Sequence, residues 1–329
     1  MHDNQFSHNY MIQEPKTPLI SFIIPAYNLP PSLLQECIES IMALSLSNDD
    51  REVIVVDDGS DILALDSLEE YRDSIIYIRQ ANGGLSVARN MGIRVATGHY
   101  IQFVDGDDKL LRTAYEHCLD IARYHSPDMV LFESGRKEDV DVPFSYEGPV
   151  FGSEYMVHHN LKAAVWRYIF RRTILGDLRF TAGSLKEDEE FTPLLMLRCS
   201  KVFVTNAKAY FYRNREGSIT NNKDNRYVAK RIEDAETVLY KLQTKAAILP
   251  IAERIALNRR VAQLTMDYLY QIIKSTHSER HLNDAIERLR AHGLYPLPDN
   301  KYTKKYTAFR LLISNPLGRR MLLLSSGII

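Results

Sequence analysis

The sequence contains few of the features that mark several common protein classes. Its three cysteines, Cys37, Cys118 and Cys199, stand far apart in the chain, so a metal-binding motif or a dense disulfide framework is excluded. We expect buried thiols in a reducing compartment. No apolar run approaches the roughly 18 residues that a membrane-spanning helix requires. The amino terminus lacks the apolar centre of a secretion signal, and the sequence therefore predicts a cytoplasmic protein.

An excess of one charge is also absent. The 41 basic and 42 acidic residues leave a net charge of −1. Such a balance provides no electrostatic basis for binding nucleic acid, and we expect no nucleic-acid partner. The proportions of hydrophobic residues (45%) and charged residues (25%) are typical of a globular protein with a substantial core.

Familiar phosphate-binding motifs are missing as well. PAYNLP (25–30) follows the first predicted strand, where a dinucleotide-binding fold carries G-x-G-x-x-G. The chain has no G-x-x-x-x-G-K-[ST] loop and no G-x-S-x-G nucleophile motif. A nucleotide bound by this chain would have to be held by other residues.

Apolar runs alternate with helical periods through the first half of the chain. The predicted strands cover residues 19–24, 52–56, 75–78, 100–104 and 129–132, and the first of them is expected to stop at Pro25. Helices are predicted over 32–46 and 86–96. Continuous apolar strands separated by helices favour an α/β fold, with a mainly parallel sheet covered on both faces.

The pattern also predicts how the chain is divided. Residues 1–17 are polar and read as an extension, and the α/β domain is predicted over 18–225. Apolar residues then recur at helical spacing, which predicts a helical C-terminal region over 226–329.

Polar clusters follow several predicted strands where these end. They are PAYN (25–28), VDDGS (56–60) and FVDGDD (103–108). The carboxyl ends of parallel strands meet at one edge of a sheet, where ligands bind. The last cluster crowds Asp105, Asp107 and Asp108 together, which is costly unless a cation approaches. Asp and Gly also suit a solvated turn, so the convergence of the clusters is what indicates a site.

The segment NGGLSVARNMG (82–92) combines two glycines with the start of a helix. The glycines permit close backbone approach, and a helix start capped by Ser86 favours an anion. Arg89 would then meet a phosphate or fix a neighbouring aspartate. An exposed arginine on an ordinary helix is the simpler alternative.

In their order and spacing along the chain, the segments PAYN, VDDGS, NGGLSVARNMG and FVDGDD resemble the nucleotide-sugar domain of glycosyltransferase family 2 over about residues 18–220. The resemblance implies the GT-A fold. It also implies an inverting glycosyltransferase that moves a sugar from a nucleotide-diphosphate donor, with a UDP-sugar preferred, to a hydroxyl of a glycan or lipid-linked glycan. Cell-surface polysaccharide biosynthesis is the setting that it indicates.

The resemblance further assigns roles to individual residues. The family's D-x-D motif matches Asp105-Gly106-Asp107. Asp105 and Asp107 are implied to hold Mn²⁺ or Mg²⁺ against the diphosphate, because hard cations prefer oxygen ligands. The residues implied to bind the nucleotide sugar are Pro25, Ala26, Tyr27, Asn28, Asp57, Asp58, Asn82, Gly83, Gly84, Arg89, Asp105, Gly106 and Arg215.

A later segment, GSLKEDEEFT (183–192), resembles the family's E-D pair and implies Asp188 as the catalytic base. Glu189 and Glu190 crowd this aspartate, and an acidic helix start would give the same pattern. The single tryptophan, Trp166, suits either the core or the floor of an acceptor-sugar site.

Other functions remain open at this point. A nucleotidyltransferase has a similar sheet and also needs a metal, but normally carries a glycine-rich basic loop after its first strand, where this chain has PAYNLP. A non-catalytic nucleotide-sugar-binding relative is a further alternative. Finally, residues 301–329 contain basic and apolar residues and no acidic one. This composition predicts peripheral contact with an anionic membrane surface, at the inner face of the cell membrane, or a packed helix with exposed lysines.

Overall fold

The computed structural model describes residues 16–137, 143–214 and 224–325. Its strands are β1 (Ile20–Ala26), β2 (Arg51–Asp57), β3 (Ile76–Arg79), β4 (Tyr100–Phe103), β5 (Lys109–Leu110), β6 (Met129–Gly135), β7 (Tyr146–Val150), β8 (Tyr168–Arg171) and β9 (Val202–Phe211). They form one mixed sheet in the order β3-β2-β1-β4-β8-β6-β9-β5, with β7 paired to β9.

The first four strands of the chain form the parallel part of the sheet. β1 lies between β2 and β4, and β2 pairs with β3. Every residue of β1 is buried. Burial on both faces explains why these strands appear in the sequence as continuous apolar runs. Their carboxyl ends meet at a single edge of the sheet.

The remaining strands extend the sheet beyond β4, in parallel and antiparallel pairs. β6 and β9 are parallel to each other, whereas β8 is antiparallel to both β4 and β6. The start of β8 therefore lies at the edge where β4 and β6 end. A short 3-10 turn over Val165–Arg167 directly precedes β8 and is brought to the same edge.

Helices cover both faces of the sheet. They are α1 (Pro31–Met42), α2 (Leu85–Val95), α3 (Arg112–His125), α4 (Gly152–His158), α5 (Glu187–Met196), α6 (Asn225–Ala247), α7 (Ile251–Thr276), α8 (Glu279–Ala291), α9 (Lys304–Ile313) and α10 (Pro316–Ser325). α1 and α3 pack on one face around residues such as Phe22 and Tyr115. On the other face, Phe103 of the sheet shares a core with Leu242 of α6 and Leu257 of α7.

The predicted α/β fold, with its covered sheet and helical C-terminal region, is confirmed. The predicted stop at Pro25 is wrong, because β1 continues to Ala26. The backbone of Ile23 faces β4, and its carbonyl accepts from the Val104 amide at 3.0 Å. The backbone of Pro25, two residues later, faces the same side of β1. β4 has already ended there, so the missing amide of proline costs no ladder bond. Within the described ranges, no helix is both long and apolar enough to cross a membrane.

Candidate functional site

A buried arginine organises the carboxyl-end edge of the sheet. Arg89, on α2, is only 2% exposed. Its guanidinium donates to Asp188 at 2.8 Å, to Glu187 at 3.0 Å and to Asp105 at 3.1 Å. It also lies 5.4 Å above the ring of Phe180. A planar, permanently charged group with several donors is suited to joining carboxylates from distant segments. Of the roles that the sequence left open for Arg89, the structure shows the fixing of an aspartate.

Asp188 lies in the first turn of α5 and faces this arginine. Burial raises its pKa to about 7; the charges of Glu187 and Asp105 act in the same direction, and Arg89 opposes them. Its second oxygen accepts from the Val165 amide at 3.4 Å. A carboxyl group that titrates near neutral pH is able to take a proton from a bound hydroxyl.

The acidic residues that follow Asp188 point away from it. Glu189 is bound by Arg260 of α7. Glu190 accepts from Thr181 at 2.8 Å and from Lys241 of α6 at 3.1 Å. The crowding expected from the sequence is therefore relieved by cations from the helical C-terminal region.

The D-G-D segment forms a tight turn after β4. A side chain on Gly106 would place its Cβ 2.6 Å from the end of the Leu29 side chain, which would then have to move. The Asp105 amide donates to the hydroxyl of Tyr210 at 3.0 Å, which fixes this turn to β9. Asp105 and Asp107 are both partly exposed. They are placed to bind a ligand that approaches the edge.

The next residue, Asp108, shows that this region has an excess of negative charge. It is almost fully buried, and one of its oxygens accepts from the Arg213 amide at 2.7 Å while the other has no partner in the described structure. Burial and the nearby charge of Asp105 raise its pKa to about 8. A hard divalent cation nearby would stabilise the ionised form of this carboxyl group, so the arrangement fits such a cation.

The described residues contain no group of three or more His, Cys, Asp or Glu side chains arranged to hold a metal by themselves. A cation at Asp105 and Asp107 would therefore take its other ligands from a diphosphate or from water. Mg²⁺ commonly binds in this way, through one or two carboxylates, substrate phosphates and retained waters.

Asp57, at the end of β2, is fully buried and binds its own loop. It accepts from the Ser60 amide at 2.9 Å and from the Tyr77 hydroxyl at 2.5 Å. Burial alone would raise its pKa, but the hydrogen bonds from Tyr77 and Ser60 outweigh it and leave the pKa lowered. This carboxylate stays ionised and shapes the loop. Its predicted contact with a nucleoside stays a prediction.

Asp58 connects this loop to the glycine segment. It accepts from the side chain of Gln80 at 2.7 Å and from the backbone amides of Gly83 and Gly84 at 2.9 and 2.7 Å. Gly84, with φ of 85°, is the residue that caps α2. The predicted cap at Ser86 is wrong, because that residue lies inside the first turn and no side chain caps this helix. Instead, the carboxylate of Asp58 accepts hydrogen bonds from the amides of Gly83 and Gly84.

The PAYN segment is tied to the same loop. Asn28, at φ of 46°, donates its amide to Ser60 at 3.0 Å, and its side chain exchanges hydrogen bonds with Asp61 at 3.0 and 2.8 Å. Tyr27 and Asn82 are exposed beside these loops. Pro25 and Ala26 form the end of β1, and Arg215 lies outside the described residues.

Some contributors were missed by the sequence reasoning. Asn90 follows Arg89 and both donates to and accepts from the backbone of Phe180 at 2.9 Å, which anchors the segment before α5. Asp234 of α6 accepts from the Leu185 amide at 2.9 Å. An asparagine inside a helix is unfavourable by propensity, and this was the available signal for Asn90.

Comparison with known proteins agrees with this geometry. Residues 21–181 match glycosyl transferase family 2. The chain is 33% identical over 225 residues to the uncharacterized glycosyltransferase EpsJ of Bacillus subtilis (strain 168), a match that covers 62% of this chain and 63% of EpsJ. It is 28% identical over 208 residues to the minor teichoic acid biosynthesis protein GgaB of the same organism, covering 60% of this chain and 23% of GgaB. This chain therefore spans less than two thirds of either relative.

Solved structures give the fold. TarS residues 1–349 of S. aureus, in complex with UDP-GlcNAc, superpose with a TM-score of 0.67 at 18% identity, covering 94% of this chain and 91% of TarS 1–349. The mannosyltransferase PcManGT of Pyrobaculum calidifontis, in complex with GDP-Man and Mn²⁺, gives 0.55 at 15% identity, with coverage of 95% and 86%. The chain thus has the GT-A fold, and its residues 21–181 are similar to glycosyl transferase family 2.

Proposed function

We propose that this chain is an inverting glycosyltransferase that uses a nucleotide-diphosphate sugar, most simply a UDP-sugar. The observation that carries the proposal is Arg89, which holds the candidate base Asp188 and the D-x-D residue Asp105 in one arrangement. Direct sugar transfer requires a base and a carboxylate that can hold the cation of the diphosphate. The complex of TarS with UDP-GlcNAc supports the choice of donor.

The acceptor is a hydroxyl of a glycan or lipid-linked glycan in cell-surface polysaccharide biosynthesis. Relatives named for teichoic acid biosynthesis and for poly(ribitol-phosphate) glucosylation support this setting. Asp188 takes the proton of the acceptor hydroxyl while the oxygen of that hydroxyl forms a bond to the anomeric carbon of the donor sugar. The bond from that carbon to the diphosphate breaks on the opposite face, so the configuration inverts.

Residues on the donor side hold the nucleotide sugar. Asp105 and Asp107 would hold Mn²⁺ or Mg²⁺, whose charge neutralises the departing diphosphate. The loops at 25–28, 57–58 and 82–84 then form the nucleoside side of the cleft, and Arg215 keeps its predicted role in binding the nucleotide sugar. Residues 18–225 are the catalytic domain in this proposal. Lys241 of α6 and Arg260 of α7, from the helical C-terminal region predicted over 226–329, bind α5.

The proposal includes peripheral contact between the C-terminal helices and an anionic membrane at the inner face of the cell membrane. Leu317 and Leu324 of α10 are 74% and 77% exposed, and Leu311 of α9 is also exposed. Lys301 and Lys304 border an open, largely apolar groove that includes Leu311. Exposed apolar side chains beside lysines suit an anionic lipid surface.

A donor panel tests the function. The full chain is incubated with UDP-, GDP- and dTDP-sugars, with Mn²⁺, with Mg²⁺ or with EDTA, and release of the nucleoside diphosphate is measured without acceptor. We expect slow, cation-dependent release from one preferred donor, because water replaces the acceptor. Binding of a donor without any release in the presence of glycan acceptors would instead identify a non-catalytic relative. Pyrophosphate formation from a nucleoside triphosphate and a sugar phosphate would identify a nucleotidyltransferase.

A further inference from the structure

A stack of aromatic rings lies beside the candidate base. Trp166 packs against Tyr210 with ring centres 4.4 Å apart and planes within 17°, and against Tyr212 at 5.6 Å and 19°. Tyr210 is fully buried and its hydroxyl accepts from the Asp105 amide, whereas Tyr212 is 38% exposed. The stack therefore runs from the D-x-D turn to the protein surface.

Its position separates it from the donor loops. Trp166 belongs to the turn before β8, and the tyrosines lie at the end of β9, so the stack is at the β8-β6-β9 part of the edge. The donor loops follow β1 and β2 on the other side of β4. The amide that binds Asp188 is that of Val165, the residue before this tryptophan. A ring on the aromatic stack would thus lie on the acceptor side of the base.

Polar groups border the stack. The guanidinium of Arg167 lies 5.4 Å from the centre of the Trp166 ring and binds Glu133 of β6, and Lys162 binds the same carboxylate at 3.1 Å. These three charged residues also line a separate cavity of about 50 Å³, whose wall includes Tyr155 and Leu161 but neither Trp166 nor Tyr212. One water needs on the order of 10–15 Å³ by such a measure, so the cavity admits waters or a hydroxymethyl group but not a sugar ring.

We propose that Trp166, Tyr212 and the Glu133–Arg167 pair form the acceptor subsite, which takes the pyranose ring of a neutral saccharide. The aromatic faces pack against the apolar face of the ring. The carboxylate and the guanidinium, side by side, accept from and donate to its hydroxyls. The inference rests on the proposed function and assigns its acceptor class.

Trp166 is the only tryptophan in the chain and serves as the probe. The full chain, with UDP and Mn²⁺, is titrated with methyl glycosides of glucose, galactose, mannose, N-acetylglucosamine and N-acetylgalactosamine in both anomeric forms. We expect a saturable change in tryptophan emission with at least one of them. No saturable change with any of these saccharides overturns the inference.

Variants separate binding at the stack from non-specific effects. We expect Tyr212→Ala and Glu133→Gln each to lower the affinity for the saccharide that gives a response by about tenfold or more, which corresponds to the loss of one contact. Tyr212→Phe keeps the ring and retains most of the affinity. Tyr124→Ala, at a tyrosine that is 80% exposed on α3, is the matched control and leaves binding unchanged. Wild-type affinity in both Tyr212→Ala and Glu133→Gln overturns the subsite.

The donor panel keeps this inference distinct from the proposed function. Cation-dependent release of nucleotide without a saccharide response at Trp166 refutes the subsite alone. A saccharide response without release from any donor refutes the proposed function and leaves a sugar-binding surface.

Discussion

Among single residues, Asp107 is the one whose replacement tests cation binding without disturbing the candidate base. Asp105 is bound by Arg89 at 3.1 Å, so its removal would also disturb the base, whereas Asp107 is partly exposed at the end of the turn. We expect Asp107→Ala to remain folded and to lose the part of its UDP affinity that depends on Mn²⁺. Calorimetry with and without Mn²⁺ measures this. Asp120→Ala, on the surface of α3, is the control, and undiminished cation-dependent affinity would refute the assignment.

Asp188→Asn tests the base. Asparagine keeps the size of the side chain but cannot take a proton, and Arg89 keeps Glu187 and Asp105 as partners. Transfer should fall by roughly 10²–10⁴-fold while affinity for the UDP-sugar changes little, the range expected when general-base catalysis is lost. Asp120→Asn, at an exposed aspartate on α3, should stay close to the wild type. Normal turnover by Asp188→Asn would redirect the assignment to Glu187.

The pH dependence of transfer follows from the same residue. With its pKa raised to about 7, Asp188 is increasingly protonated below that pH and loses its function as a base. The rate kcat/KM should therefore rise with pH up to about 7, by roughly tenfold per unit on the acid side, and then level off. A profile that is flat across this range would contradict the role.

Stability should change in the opposite sense. The folded state keeps a proton on Asp188 that the unfolded chain has already released, because the folded pKa lies above the ordinary value. The contribution of this group to the free energy of unfolding is therefore present at low pH and is lost as pH rises towards and through about 7.

At the scale of elements, the placement of α5 depends on cations from two other helices. Arg260 of α7 binds Glu189, and Lys241 of α6 binds Glu190. In Arg260→Ala the uncompensated charge of Glu189 should raise the pKa of Asp188. We expect the acid side of the pH profile to move to higher pH and transfer at neutral pH to fall, by about tenfold for each pKa unit of that movement.

The matched control is Arg280→Ala, on the exposed surface of α8. It should leave both the profile and the rate unchanged. If Arg260→Ala lowers the rate without any movement of the profile, its effect is structural and the proposed charge compensation is wrong.

The sequence predicted β1, β2, β3, β4 and β6 but not β5, β7, β8 or β9. The prediction was clearest for β1 and β2, because strands buried on both faces need continuous apolar runs. It also located the polar clusters where those strands end. It could not tell which donors the carboxylates meet. Asp58 uses the Gly83 and Gly84 amides, and Arg89 meets Glu187 98 positions away. Such pairings depend on tertiary packing, which local patterns do not contain.

On the scale of the whole molecule, the C-terminal helices can be tested as a membrane-contacting surface without removing them. Truncation would delete Tyr306 and Ile313, which are buried in the core shared with the sheet. Leu317→Asp combined with Leu324→Asp changes only exposed positions and should abolish sedimentation with vesicles rich in phosphatidylglycerol. Ile248→Asp, also 77% exposed but between α6 and α7, is the control. Sedimentation of the double variant equal to that of the wild type would refute the membrane contact.

The ion pairs that hold α5 also bear on the order in which the chain leaves the ribosome. The D-x-D turn and Arg89 belong to the first third of the chain, but Lys241 and Arg260 are translated only later. Amino-terminal segments fold first during synthesis. A nascent chain that ends before α7 would thus carry the donor half of the cleft while Glu189 lacks its cation. In the proposed function, the alignment of the base is thereby coupled to translation of the last third of the protein, because α7 supplies both this cation and Leu257 of the core shared with the sheet.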